Sequence, residues 1–121
     1  MKQTNRKGFT LAELLIVVAI IAVLVAIAIP VFTAQKHKAE VAVDQANLRA
    51  YYAELQADFI TTGVVKKLTE LQVDFKTYKH LDGTKSSLIA GNYMLSVHPT
   101  GYEIIYTCND PNHEHEVHFG N

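Results

Sequence analysis

A chain of 121 residues and 13.5 kDa has room for one domain of ordinary size. Hydrophobic residues make up 49% and charged ones 19%, a balance too apolar for disorder and, outside one N-terminal run, too polar for several membrane spans. Eleven Lys and Arg against twelve Asp and Glu give a net charge of -1, which removes the electrostatic basis for gripping nucleic acid.

The charge is unevenly placed. Lys2, Arg6 and Lys7 put three cations into the first eight residues, whereas residues 9–121 carry eight basic and twelve acidic groups, a net charge of -4. Leu14 to Ile29 is a run of 16 apolar residues within 22 uncharged residues that end at Gln35. At 1.5 Å rise per residue the uncharged stretch makes a helix of about 33 Å, enough to cross a bilayer core. Cations before the span place the N-terminus in the cytoplasm and the rest of the chain outside.

Three readings of this span compete: a removed secretory signal, a plain membrane anchor, and a helix that leaves the membrane to pack with copies of itself. Ala26-Ile27-Ala28 offers an A-x-A cleavage site, but the run is long for a signal core and Pro30 sits just past the scissile bond. Glu13 discriminates further. Its carboxylate lies at the membrane boundary or within it, where a central charge costs roughly 2.5–3.5 kcal/mol. Lys7 is one partner, beside which Glu13 can reach the headgroups. A cut between Gly8 and Phe9 supplies another, a cationic amine four residues before Glu13 and on the same helical face. Pro30 removes a backbone donor and predicts a kink near residues 26–30.

Beyond Pro30 the pattern turns amphipathic. Val41, Leu48, Tyr52, Leu55 and Phe59 recur at helical spacing, with Lys38, Glu40, Asp44, Arg49, Glu54 and Asp58 elsewhere around the helix. The helix is expected to reach Thr62 and stop at Gly63. A short helix over residues 66–72 and a polar loop over 82–87 follow. Tyr93–Val97, Tyr102–Thr107 and Glu114–Phe119 read as strands, separated by turns at His98-Pro99-Thr100-Gly101 and Asn109-Asp110-Pro111-Asn112. The expected fold is α+β: a long helix, apolar then amphipathic, whose distal half completes the core of a small antiparallel meander of about three strands.

The C-terminal run His113-Glu114-His115-Glu116-Val117-His118 is the one place for metal chemistry. On a strand His113 and His115 share a face and could be joined by His98 or Cys108 from adjacent strands. A charged edge strand that resists pairing accounts for the same residues without a metal, and no metal or cofactor is assigned. The lone Cys108 has no internal disulfide partner. HEHEVH lacks zincin spacing and there is no GxSxG or glycine loop, so no catalysis is expected.

The segment Lys7-Gly8-Phe9-Thr10-Leu11-Ala12-Glu13-Leu14-Leu15 resembles the class III signal of type IV pilins and pseudopilins, with its basic leader, Gly8 before the cut, Phe9 after it, Glu13, the apolar helix and Pro30. The resemblance covers about residues 1–35. It implies a leader of residues 1–8, a membrane and filament-core helix over 9–35, and a head over 36–121. It also implies cleavage after Gly8 by a prepilin peptidase that reads Gly8 and Glu13 and then methylates the Phe9 amine. An assembly ATPase with its platform protein would draw the helix from the inner membrane into an extracellular homopolymer, where Glu13 neutralises the Phe9 amine of a neighbour. Adhesion, motility and DNA uptake are roles of such filaments. The alternatives are a pseudopilin of a type II secretion or competence system and, in another class, a membrane-anchored metal- or ligand-binding domain. Two departures stand out: Ala22 where many relatives place glycine, and a single Cys where many close a disulfide loop.

Overall fold

The computed structural model describes residues 8, 10–110 and 116–120. Lys2, Arg6, Lys7, Phe9, His113 and His115 therefore lie outside the described residues. The chain divides into two units, Met1–Lys36 and His37–Asn121.

One helix, α1, runs Leu11–Thr62 and passes through Pro30 without a break in its assignment. Pro30 has no N–H to offer the Ala26 carbonyl, so one rung of the ladder is missing there. Just beyond it the Thr33 hydroxyl donates to the Ile29 carbonyl at 2.6 Å. From Leu11 to Phe32 the large apolar side chains are 45–75% exposed, as expected of a surface made for lipid or for other helices. The helix ends where the sequence places its stop. Gly63 takes φ +69°, a conformation that disfavours side chains, and its N–H closes on the Phe59 carbonyl at 2.8 Å.

In the second unit α1 buries Val41, Asp44, Leu48, Tyr51 and Leu55, spaced three and four apart. Two sequence expectations are corrected here. Tyr51 is fully buried while Tyr52 is half-buried, so the inward stripe is turned slightly from the expected one. Asp44, expected elsewhere around the helix, is 0% exposed at the centre of the stripe. Burial is tolerated because both carboxylate oxygens accept hydrogen bonds. Oδ1 accepts the Ile89 N–H at 2.7 Å, and Oδ2 accepts the N–H groups of Ala90 (2.7 Å) and Gly91 (3.1 Å) and the Tyr106 hydroxyl (3.2 Å).

The short helix α2 spans Leu68–Leu71. Three strands, β3 (Gly91–His98), β4 (Gly101–Cys108) and β5 (Glu116–Phe119), form an antiparallel sheet in that order, after β1 (Thr77–Lys79) and β2 (Lys85–Ser87) pair as a separate hairpin. That hairpin goes beyond the expected meander of three strands. Its strands are three residues each and mostly polar, so they carry no alternation of the kind that marks a half-buried strand. The turn made them pair: Asp82 accepts the Thr84 N–H at 2.8 Å, and Gly83 takes φ +92°.

The core joins Leu48, Tyr51 and Leu55 of α1 to Tyr78, Tyr93, Leu95, Tyr102, Ile104, Tyr106 and Phe119. Aromatic packing carries much of it, with Tyr51 and Tyr78 rings 4.4 Å apart and Tyr78 and Tyr93 5.8 Å apart. The phenols find polar partners: Tyr51 donates to the Lys79 carbonyl (3.0 Å), Tyr93 to the Thr77 carbonyl (3.1 Å), and Tyr102 accepts the Lys66 N–H (2.6 Å). Burial pushes the phenol pKa values of Tyr51, Tyr78, Tyr93, Tyr102 and Tyr106 above their ordinary range.

Candidate processing and packing site at the start of the long helix

Gly8 is exposed, with no atom within 4 Å of the place a Cβ would occupy. Thr10, two residues on, opens α1 as its N-cap. The Glu13 carboxylate accepts the Thr10 N–H at 3.0 Å, and the Glu13 N–H reaches back to the Thr10 hydroxyl at 3.3 Å. This reciprocal pair is a capping box, which satisfies two of the donors that every helix start leaves open. It also sets a carboxylate in the first turn, at the positive end of the helix dipole. Glu13 thus has an intramolecular partner before any external cation arrives. Thr10 is the site residue that sequence reasoning missed. The signal was available as Thr10-Leu11-Ala12-Glu13, the S/T-x-x-E signature ahead of an apolar run.

Behind this cap lies the apolar surface. The best 18-residue stretch of α1 has a mean hydropathy of 3.4 and none of it is buried, so the helix is long and apolar enough to cross a membrane. Glu13 and Pro30 stand near its two ends, in the first turn and inside the helix respectively.

The candidate metal set pairs His113 and His115, which lie outside the described residues, with His98 or Cys108. Register pairs Gly91 with Cys108 and His98 with Gly101, so His98 and Cys108 sit at opposite ends of the β3–β4 ladder and cannot share one ion. Cys108 is buried, its Sγ 3.0 Å from His37 Nε2. His98 lies 3.6 Å from Glu103, which also meets His118 at 3.3 Å, and His118 meets Glu116 at 2.9 Å. The neighbouring Glu103 raises the His118 pKa above its ordinary value, with Glu116 adding to the effect. Among the described residues no group of three or more His, Cys, Asp or Glu side chains is arranged to hold a metal ion.

Residues 3–29 match the family model of the prokaryotic N-terminal methylation motif. No curated protein and no solved structure matches the chain. The matched segment contains Gly8, Thr10 and Glu13 and most of the uncharged span.

Proposed function

We propose, from a pilin- or pseudopilin-like chain that carries the class III signal of those proteins at residues 3–29, that it is the structural subunit of a type IV pilus-like filament. The motif implies membrane insertion and processing by a prepilin peptidase, and the apolar N-terminal helix anchors the chain in the membrane. In the proposed sequence of events the peptidase cuts between Gly8 and Phe9, removing Lys2, Arg6 and Lys7, and the new Phe9 amine is methylated with its charge retained. An assembly ATPase and platform then lift residues 9–35 into a filament core, leaving residues 36–121 as an extracytoplasmic head.

One observation carries this reading: the methylation motif ends in a helix whose apolar side chains are exposed on every side. An all-round aliphatic rod packs in many registers and cannot select one. Glu13, at its first turn, can select one by meeting the Phe9 amine of a neighbour where an unpaired charge is costly. The work done is mechanical, through self-association. Intact mass of the chain purified from cells that hold the peptidase tests the first step. The expected species has lost residues 1–8 and gained one methyl group; a full-length, unmethylated N-terminus sinks the proposal.

A further inference from the structure

Within the unit His37–Asn121, three side chains distant in sequence line up in the order carboxylate, imidazole, hydroxyl. Glu54 Oε2, on α1, lies 2.7 Å from His80 Nδ1, and His80 Nε2 lies 2.9 Å from the Ser86 hydroxyl on β2. The carboxylate is itself fixed, because its other oxygen accepts the Leu81 N–H at 2.8 Å. An acceptor at Nδ1 holds the ring proton on that nitrogen, so Nε2 presents its lone pair to Ser86 and the hydroxyl proton points at a base. The rings of Tyr51 and Tyr78 flank the imidazole edge-on at 5.5 and 5.2 Å and limit its rotation. The side chains of His80 and Glu54 keep 25% and 31% of their exposure, and His80 forms part of the wall of a cavity of about 320 Å³ with Lys66, Lys79 and Leu81. The imidazole therefore borders the cavity, and Ser86 beside it is half-buried outside the cavity wall.

This is the arrangement by which a serine becomes a nucleophile: a base at its proton and a carboxylate that orients the base. No linear motif announces it, since the residues are 26 and 6 positions apart. We infer that Ser86 is an activated nucleophile, with His80 as general base and Glu54 as the positioning carboxylate, and that it accepts an acyl group from small activated esters. In the step, Ser86 Oγ forms a bond to the ester carbonyl carbon while its proton passes to His80 Nε2. The tetrahedral adduct then breaks its bond to the leaving alcohol, which takes that proton. The products are acyl-Ser86 and one alcohol, with no oxidant or cofactor consumed. The inference does not depend on filament assembly, and chain with or without its first eight residues should react alike.

A strut between α1 and the β1–β2 hairpin has the same distances, so the test must read reactivity. Full-length chain in detergent is treated with p-nitrophenyl acetate and the acetylated residue is located by peptide mass. We expect one acetyl group on Ser86, none at that peptide in Ser86→Ala, and unchanged labelling in Ser87→Ala. His80→Gln should slow Ser86 labelling by about 100-fold, the usual worth of a general base. If His80→Gln does not fold, the wild-type rate decides. It must rise with pH, as a base that acts only when unprotonated requires, and the charged and titratable groups around His80 are Glu54, Asp82, Tyr51 and Tyr78 together with Lys66, Glu70 and Lys79 of the shared cavity wall. An unlabelled Ser86, labelling that His80→Gln leaves unchanged, or a pH-independent wild-type rate overturns the inference.

Discussion

The carboxylate of Asp44 sits 3.2 Å from the Tyr106 hydroxyl, and the same oxygen takes the backbone N–H groups of Ala90 and Gly91. A single side chain of the helix thus holds the entry to β3 and the middle of β4. Removing it leaves buried donors without an acceptor, each worth roughly 1–3 kcal/mol. Asp44→Ala is expected to destabilise the head by about 3–5 kcal/mol, and Tyr106→Phe, which deletes one donor and leaves the acceptor otherwise occupied, by about 1 kcal/mol. Denaturant titration followed by tyrosine fluorescence checks both. Equal losses for the two variants would show that the backbone N–H groups do not depend on Asp44.

Gly91 is needed at the same clamp for reasons of space. A Cβ there would lie 2.4 Å from Tyr106 Cε2 and 2.5 Å from the Thr107 carbonyl oxygen, the second of which is backbone and cannot swing away. Gly91→Ala is expected to cost about 2–3 kcal/mol, the scale of overpacking in a close-packed core. Ala90→Gly, at a half-buried neighbour, serves as the comparison. A Gly91→Ala chain that melts with the wild type would mean that β3 and β4 can part locally without loss.

What the sequence revealed and what it hid divide along one physical line. Signals that act over a few residues were legible: Gly63 as the helix stop, the His98-Pro99-Thr100-Gly101 turn, and the alternation of β3 and β4 all appear in the fold where periodicity placed them. Hidden features depended on partners far along the chain. A charged residue in an amphipathic helix normally faces water, and nothing near Asp44 shows that residues 89–91 will supply its donors. The β1–β2 strands are held by the Asp82-Gly83 turn and by Tyr78 in the core, with little hydrophobic pattern of their own. Glu13 stood out as a lone charge before a greasy run. Its bond to Thr10 was equally local and was readable from the T-x-x-E spacing.

The buried phenols predict an alkaline limit to stability. In the folded head, burial holds the protons of Tyr51, Tyr93 and Tyr106 well above the ordinary pKa of 10.0, while the unfolded chain releases them near that value. Below pH 10 both states are protonated and the contribution is fully present. Above it the folded state binds more protons than the unfolded one, so stability falls as pH rises. Phenolate absorbance and near-ultraviolet circular dichroism should therefore change together in the alkaline titration. Ionisation of all six tyrosines near pH 10 with the tertiary signal intact would contradict the burial described here.

Glu13 does two jobs in the proposed pathway, and two substitutions separate them. As the far half of the capping box it accepts the Thr10 N–H, a task that Gln performs nearly as well, since the signature admits either residue. As a register-setting anion it must carry charge, which neither Gln nor Ala does. Losing the charge also removes up to about 2.5–3.5 kcal/mol of insertion cost, so both variants should enter the membrane at least as well as wild type. If pairing with a neighbour's Phe9 amine is the decisive role, Glu13→Gln and Glu13→Ala should both be inserted, and both should yield few sheared filaments per chain cleaved after Gly8. If capping is decisive, Glu13→Gln should assemble like the wild type while Glu13→Ala and Thr10→Ala fail together, each having lost a cap worth about 1 kcal/mol. The yield of sheared filaments from these three variants, measured beside the fraction cleaved, separates the two roles. Wild-type assembly by Glu13→Gln would remove the charge from the mechanism.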